Sequence, residues 1–328
     1  MANNRIFWAC QAVAKDGVFL RGVQAVGVSG GTPVETLPDM GRPQSNFKFE
    51  TKDKEFEVTI SRVIDRNSSL FYTWTGKPIK PGNIGWGGSG NDDIRSFDIS
   101  ITYGSDINSN IGDGSPVATT TYKKCLITSL QYNLTVDGIM TEEISLTSRH
   151  VVTTGGAGRH FPYSGGEHSG NIIKRQDVTW TLPALPTEVF GTDDPLTVNG
   201  QSVYGIQSIN LSMNITYDRL NDVGVWRGYD NPAEVNKFTF VQTPIEVSTT
   251  LTGIARSMVP NIPLGENNDE VVETLEQITI SAGDFTWNMG DKNYLANYST
   301  SGGDAGGDNA EISFTYVNEN NDFSISIS

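Results

Sequence analysis

The sequence of 328 residues lacks the marks of a disulfide-rich, membrane-spanning or nucleic-acid-binding protein. Its two cysteines, Cys10 and Cys125, are too few for a disulfide framework, and we expect free thiols packed as small apolar side chains. No apolar run approaches the roughly 20 residues of a membrane-spanning helix, and the N-terminal stretch does not resemble a signal peptide. With 23 Lys and Arg against 38 Asp and Glu, the net charge of −15 argues against a dedicated binder of DNA or RNA backbones.

The sequence also has little that could carry catalysis. It contains three histidines, His150, His160 and His168, and their spacing within a Gly-rich stretch matches no metal motif. There is no Gly-x-Ser-x-Gly nucleophile elbow that opens a helix and no phosphate-binding loop. Acid pairs such as Asp92-Asp93 lie in predicted loops, where solvated carboxylates are the rule. We therefore expect no enzyme, no metal site and no cofactor.

What the sequence does have is aromatic residues and a period-two pattern. The 14 Phe, 11 Tyr and 6 Trp can fill cores. Apolar and polar residues alternate in five segments, 97–103, 126–136, 209–217, 312–316 and 323–327. This alternation predicts strands with one buried and one polar face, and hence a mainly β fold. Short helices are expected only at Asn268–Leu275 and Ser68–Thr75.

A repeat within the chain is the most informative pattern. Segments Gly22–Gly41 and Gly205–Gly224 align without gaps at a constant offset of 205 − 22 = 183. The identical pairs are Gly22/Gly205, Gln24/Gln207, Ser29/Ser212, Leu37/Leu220, Asp39/Asp222 and Gly41/Gly224. Each segment leads to a Phe-x-Phe strand and a Glu-Val pair (Glu57-Val58 and Glu246-Val247), and a weaker echo joins Glu143–Thr147 to Glu311–Thr315. The general similarity of amphipathic strands explains the alternation. It does not explain why the identical residues and the Glu-Val pairs follow in the same order in both segments, so we predict a duplication.

The Gly-rich stretch near mid-chain separates the two copies. Residues 153–171 contain six glycines and are the best candidate for a linker. This predicts a first β domain at 1–165 and a second at 172–328.

Taken in order, several segments resemble the tail tube (major tail) proteins of large tailed bacteriophages. In the first half they are GVQAVGVS, the acid-Gly turn at Asp39–Gly41, EVTISRVID, SSLFYTWTG and LQYNLTVDGIMTEEISLTSR. In the second half they are KRQDVTW, GIQSINLSMNITYDRL and TPIEVSTTLTGIAR. The resemblance implies two tandem β-sandwich or half-barrel domains, each with at most one short helix. It also implies that strands of neighbouring subunits complete a barrel.

The resemblance implies a structural virion protein without enzymatic activity. Its main partner would be itself, in stacked rings of three chains with pseudo-sixfold symmetry or of six chains. Tail sheath, baseplate and tail terminator are further expected partners, and viral DNA would pass through the tube without specific binding. The expected location is the phage tail of the virion, with assembly in the host cytoplasm.

The tube interpretation suggests particular residues for the barrel. The candidate inner hairpin is 47–64, with a counterpart at 238–253, and Phe47, Phe49, Phe238 and Phe240 are the candidates for intersubunit strands. The candidates for acids that face the lumen are Glu50, Asp53, Glu55, Glu57 and Glu246. Like charge would keep DNA from binding to the wall. An ordinary solvated face stays an open alternative for each acid.

Two other functions remain open at this point. A tube initiator or terminator would use the same fold in a single ring. A receptor-binding or carbohydrate-binding β-sandwich could use tryptophans such as Trp180 and Trp287 as platforms for sugar rings. A glycoside hydrolase is a third alternative and would require a pair of essential carboxylates.

Overall fold

The computed structural model shows a chain built almost entirely of β-strands. The structure describes residues 11–20, 22–31, 34–38, 45–50, 55–64, 96–104, 116–155, 172–183, 205–219, 239–242, 244–254, 273–274, 277–302, 310–320 and 322–327. The helical element within these ranges is one 3-10 turn at Arg175–Asp177, and none of them contains a helix suited to crossing a membrane. The prediction of a mainly β fold is confirmed.

The described residues form strands that are numbered here in chain order. The strands are β1 (Gln11–Lys15), β2 (Val18–Phe19), β3 (Val23–Gly31), β4 (Val34–Pro38), β5 (Ser45–Glu50), β6 (Glu55–Val63), β7 (Phe97–Gly104), β8 (Pro116–Thr135), β9 (Thr141–Ser148), β10 (His150–Gly155), β11 (Val178–Thr181), β12 (Ile206–Asn214), β13 (Tyr217–Arg219), β14 (Thr239–Val241), β15 (Glu246–Ile254), β16 (Glu273–Thr274), β17 (Thr279–Ala282), β18 (Phe285–Asn288), β19 (Asn293–Ser301), β20 (Glu311–Asn318) and β21 (Ser324–Ile327). Every pairing among them is antiparallel.

Thirteen of these strands belong to one main sheet, which is open. Eight of them run side by side in the order β3-β6-β9-β8-β12-β15-β20-β19. The long strand β8 pairs with β9 and β12 through its C-terminal half and with β10 and β7 through its N-terminal half. A second sheet has the order β11-β17-β18-β21, and β4–β5 and β13–β14 are separate two-stranded ladders.

The eight strands divide into two four-stranded units with the same connectivity. We call β3-β6-β9-β8 the first unit and β12-β15-β20-β19 the second unit; the pairing of β8 with β12 joins them. In each unit the first and second strands are connected through a small ladder, β4–β5 in the first and β13–β14 in the second. The two units therefore run in the same direction along the sheet.

The two units also share their irregularities. A bulge interrupts the first strand pair of each unit, at Gln24 in β3 and at Gln207 in β12. Each glutamine donates a side-chain hydrogen bond of 3.4 Å to the carbonyl of the glycine two residues earlier. These glycines, Gly22 and Gly205, have φ angles of 74° and 102°, which residues with a side chain rarely adopt. The same local structure thus stands at matched positions in both units.

The strand register corrects the alignment that the sequence suggests for later strands. Ile60 is opposite Ile144 in the first unit, and Leu251 is opposite Phe314 in the second. Val26 and Ile209 are matched by the offset of 183 and pair with Ile60 and Leu251, so Ile60 corresponds to Leu251. Ile144 therefore corresponds to Phe314, an offset of 314 − 144 = 170, whereas the sequence echo implies 168. The Glu-Val pairs are likewise two residues out of register. A shift of two keeps every side chain on its face, so alternation alone does not reveal it. The division into two tandem domains stays a prediction.

Part of one predicted helix and part of the predicted linker form strands of the main sheet in the structure. Glu273 and Thr274 pair with β19, so the helix predicted at Asn268–Leu275 is wrong for these two residues, because sheet pairing outweighs a local capping signal. The other residues of that prediction, and the helix predicted at Ser68–Thr75, lie outside the described residues. Residues 153–155 of the predicted linker belong to β10, which pairs with β8; residues 156–171 lie outside the described part.

The core lies between the second sheet and the inner face of the main sheet. The Tyr132 ring centroid is 4.7 Å from that of Phe285 and 5.9 Å from that of Trp287, in a T-shaped contact. The Trp287 indole Nε1 donates to the Thr249 hydroxyl at 3.2 Å, and all four side chains are buried. Trp287 is therefore a core residue and no platform for a sugar. Trp180 packs half-buried against the same core.

Cys125 is a buried, free thiol, as the sequence predicts for it. Burial disfavours the charged thiolate and raises the pKa of Cys125 to about 12. The thiol is therefore protonated at neutral pH and packs as a small apolar side chain. Cys10 lies outside the described residues.

An ion pair is buried beneath the first unit. Arg62 Nε donates to Glu142 Oε2 at 2.9 Å, and the Tyr132 hydroxyl donates to Glu142 Oε1 at 3.0 Å. The Glu142 side chain is completely buried and that of Arg62 nearly so. These contacts link β6, β9 and β8, and a charge removed here would leave its partner in a medium of low dielectric.

We expect Glu142→Gln to lower the free energy of unfolding by about 3 kcal/mol, because the buried Arg62 loses its carboxylate. The matched control is the adjacent Glu143→Gln, whose side chain is exposed on the other face and whose effect should be below about 0.5 kcal/mol. Urea unfolding followed by tryptophan fluorescence measures both. Equal losses in the two variants would contradict a structural role for the buried pair.

Candidate functional site: the polar face and the open edges of the main sheet

The two units present one continuous polar face on the side of the main sheet away from the core. Alternation places buried residues such as Val58, Leu130 and Leu211 inward and hydroxyl and amide side chains outward. Neighbouring strands are bridged on this face by the side-chain pairs Thr59–Ser145 (3.4 Å), Asn210–Asn133 (2.6 Å), Ser212–Ser248 (2.6 Å), Thr250–Thr315 (3.0 Å) and Thr252–Ser313 (3.1 Å). The Asn210–Asn133 bridge crosses the junction between the units, so the face is uninterrupted there.

With β8 taken from Leu126, every charge on the described part of this polar face is negative. Lys123 and Lys124 lie in the N-terminal half of β8, where Lys123 forms an ion pair with Asp98. The strand parity places five exposed acids there, namely Glu55, Glu57, Glu143, Glu246 and Glu311. The eight segments, with β8 taken from Leu126, contain one basic residue, Arg62. Its side chain is buried on the inner face against Glu142. A surface of this kind repels polyanions and offers them no cationic contact.

Three of the predicted acids lie on this polar face. Glu55 accepts a hydrogen bond from the Thr147 hydroxyl at 2.9 Å, and Glu57 accepts one from Ser29 at 3.4 Å. Glu246 begins β15 opposite Asn214. Glu50 ends β5 opposite Val34, in a ladder outside the main sheet, and Asp53 lies outside the described residues.

Sequence reasoning missed two acids of the polar face, Glu143 and Glu311. The signal that could have found them is parity, because Glu143 alternates with Ile144 in phase with Ser145, and Glu311 is likewise in phase with Ser313. Both residues stand in the weak echo between β9 and β20. The echo indicates a repeat, and the parity within each segment shows which face each acid occupies.

Three of the four predicted intersubunit phenylalanines lie in the small ladders, apart from the main sheet. Phe47 and Phe49 belong to β5, and Phe240 belongs to β14; Phe238 lies outside the described residues. Phe49 is opposite Glu35, and Phe240 is opposite Asp218, so the same kind of pair recurs in both ladders. The role of these four residues between subunits stays a prediction.

Among the described residues, the row of eight strands ends in two long strands, β3 and β19, that carry no charge. Strand β3 pairs with β6 alone within the described residues, and Val28 is 45% exposed on it. At the other end, the pairing that the structure describes on the outer side of β19 is with β16, at Asn293 and Tyr294. Neither β3 nor β19 contains a charged residue or a proline. Monomeric proteins usually protect exposed edge strands with charged residues or prolines. Long edge strands without such residues therefore favour association with another strand.

The described residues offer no sign of a metal or nucleophile site. No group of three or more His, Cys, Asp and Glu side chains among them could hold a metal ion. His150 begins β10, and His160 and His168 lie outside the described part. What the arrangement can provide is backbone pairing at two edges and an acidic, hydroxyl-rich face.

Comparison with known proteins gives partial similarity to tube components. No protein-family model matches the chain, and no curated protein matches it significantly. Among solved structures, the tube-terminating cap of the anti-feeding prophage is 13% identical and covers 47% of this chain and 94% of its own, with a TM-score of 0.36. The sheath/tube terminator of the extracellular contractile injection system PVC is 14% identical (47% and 99% covered; TM-score 0.35). The PVC sheath–tube complex is 15% identical (47% and 94% covered; TM-score 0.35). Similarity this weak does not identify the function.

Two adjacent threonines of β15 lie on opposite faces of the main sheet, and we expect their replacement to affect stability differently. Thr249→Val removes the hydroxyl that accepts a hydrogen bond from Trp287 Nε1 and donates one to Met289 Sδ. Because the buried indole N–H loses its partner, we expect the free energy of unfolding to fall by about 2 kcal/mol. Thr250→Val, on the polar face, leaves Thr315 within reach of water and should cost less than about 1 kcal/mol. Chemical denaturation compares them. A larger loss for Thr250→Val would show that this face is covered in the single chain.

Proposed function

We propose that the protein is a structural, non-enzymatic subunit of a phage-type tail tube, whose rings form the conduit for DNA. The observation that carries the proposal is the continuous row of two similar units, acidic on one face and ending in β3 and β19, which have no further strand along most of their outer sides within the described residues. The sequence resemblance to tail tube proteins supports the same function. In this proposal the protein's place is the virion tail.

A closed ring would satisfy the exposed backbone of both sheet edges. Extending the sheet from copy to copy provides a partner for each unpaired N–H and C=O group, and closure into a barrel leaves no edge. Three chains would contribute six units and give pseudo-sixfold symmetry. A ring of six chains is the alternative.

The polar face is the part of the sheet that suits a DNA channel. Glu57, Glu143 and Glu246 would line the lumen together with the hydroxyl side chains between them. Acids repel phosphates over about 8 Å at physiological salt, so DNA would pass without lasting contact with the wall. Sheath, baseplate and terminator proteins would bind the outside and the ends of such a tube.

A tube initiator or terminator is the second candidate. Two of the similar structures are named as a tube-terminating cap and a sheath/tube terminator. A capping ring would use the same sheet edges as a tube ring. The two candidates differ in whether rings stack, and this difference can be measured.

The test is negative-stain electron microscopy of the purified protein over a concentration series. Stacked hollow tubes would support the tube subunit, and isolated rings at every concentration would support the end component. Rotational symmetry of the rings would decide between three chains and six. A compact monomer throughout, also after addition of preformed tube ends, would overturn the proposal in favour of a β-sandwich binding module.

Reversing charge on the polar face should make the assembled protein retain DNA. The double variant Glu57→Lys/Glu246→Lys introduces cations where the described strands have acids, and binding should fall steeply between 50 and 200 mM salt, as counterion release requires. The assay is co-sedimentation of labelled double-stranded DNA with assembled particles.

The control is Asp284→Lys, in the turn between β17 and β18 of the second sheet, on the other side of the core. It carries the same charge change per residue and should leave DNA retention close to that of the wild type. Equal retention by the control and the double variant would contradict a lumenal position of the polar face.

A further inference from the structure

We propose that β3 of one copy pairs antiparallel with β19 of the next copy, in the register that places Val28 opposite Thr300. The proposal rests on the ring proposed above and names the interface that would close it. The partner is a second copy of this chain. The chain contains a template for the interface in the pairing of β12 with β8.

The internal junction has a defined register. Residues Ser208–Asn214 of β12 pair with Ser129–Thr135 of β8, with Leu211 opposite Tyr132. Hydrogen bonds from Val136 N to Gln207 O and from Ile215 N to Thr128 O extend this ladder at its two ends. Since the bonding type alternates, Leu211 and Tyr132 form a hydrogen-bonded pair, and Ser212 and Gln131 form a non-hydrogen-bonded pair.

The outer edge of β19 in the second unit resembles the edge of β8 at which the junction forms. The difference is that β8 has β12 as a partner, and the corresponding part of β19 has no described partner. On one edge of β8, β7 pairs as far as Cys125 and β12 continues from Ser129. On the matching edge of β19, β16 pairs at Asn293 and Tyr294. Beyond Tyr294 the described residues provide no strand, although the inner side of β19 pairs with β20 as far as Ser301.

Matched bulges fix how β8 and β19 correspond. The β8–β9 pairing is interrupted at Thr128, and the β19–β20 pairing is interrupted at Ala296, an offset of 296 − 128 = 168. The offset between β3 and β12 is 183, from the bulges at Gln24 and Gln207. Applied to the β12–β8 junction, these two offsets place Val28 opposite Thr300 and Ser29 opposite Ser299.

The two edges are complementary in this register. Tyr298 would lie opposite Gly30, so a large side chain meets the smallest one, and no charged residue opposes another. Leu211 is 1% exposed in the internal junction, whereas its counterpart Val28 is 45% exposed. Pairing with a second copy would bury Val28 as β8 buries Leu211.

The interface is heterologous, because two different edges meet. Each copy then leaves one β3 edge and one β19 edge for the next, and the series ends only when a ring closes. An isologous pairing, β3 with β3 or β19 with β19, would end at two copies. The proposal thus predicts rings and excludes dimers as the final assembly.

Disulfide cross-linking tests the register. The variant Ser29→Cys/Ser299→Cys, in a Cys10→Ser background, places thiols at a non-hydrogen-bonded pair, where Cβ atoms are close enough for a disulfide. Both serines are exposed, and the native Cys125 is buried. Within one chain the two serines stand seven strand spacings apart, about 34 Å along the sheet, so any disulfide must join two copies.

Rings assembled from this variant and oxidised with diamide should run as a ladder up to the full ring on a non-reducing gel. The matched control is Ser29→Cys/Ser301→Cys, slipped by two residues on the same face, which should cross-link at least about fivefold less. Single-cysteine variants should give no ladder.

Three outcomes would overturn the proposal. Rings that form normally but cross-link equally in the two double variants would refute the register and leave the proposed function standing. Dimers of a single-cysteine variant would indicate an isologous edge. Failure of the wild type and every variant to assemble would refute the register and the ring together.

Discussion

The need to pair the backbone at a strand edge governs this fold. Strand β12 has neighbours on both sides, β15 and β8, and Ile209, Leu211 and Met213 on it are buried. Strand β3 has the same bulge, the same glutamine contact and the same kind of partner strand on one side, yet its residues are largely exposed. The difference between the two is the single neighbour that β8 supplies. Strand β8 provides the backbone partners that join β9 and β12 into one sheet. The continuous polar face follows from this pairing, and β3 and β19 are left at the ends of the row.

Features that depend on local periodicity could be predicted from the sequence. Alternation from Ile209 to Tyr217 predicts a strand and its faces, and the structure forms that strand as far as Asn214. Glu57 and Glu246 are predicted from the tube interpretation, and both lie among the polar residues of their strands. Pairing partners could not be predicted, because a two-residue slip preserves every face and the energy difference lies in distant contacts. The alignment of Glu57-Val58 with Glu246-Val247 therefore failed by two residues. Glu273 and Thr274 became a strand for the same reason: their partner lies in β19.

Identical residue types have opposite surroundings in this protein, which is why composition says little about their roles. Glu142 is buried with Arg62 and Tyr132, and its neighbour Glu143 is exposed on the polar face. Thr249 satisfies the indole of Trp287, and its neighbour Thr250 bridges to Thr315 on the other side of the sheet. In both cases the pleat of the strand decides, since successive side chains point to opposite faces. The stability of the inner face and the chemistry of the outer face can thus change independently.

The parallel placement of the two units gives the sheet a direction. Strands β3 and β12 run the same way, and each leads at its C-terminal end into a small ladder, β4–β5 or β13–β14. Both ladders therefore leave the main sheet from the same rim, while the opposite rim carries the N-terminal ends of β3 and β12. A ring made by continuing this sheet would have two chemically different rims. If the rings stack with unlike rims in contact, every ring has the same orientation. The resulting filament is directional, and its two ends present different rims.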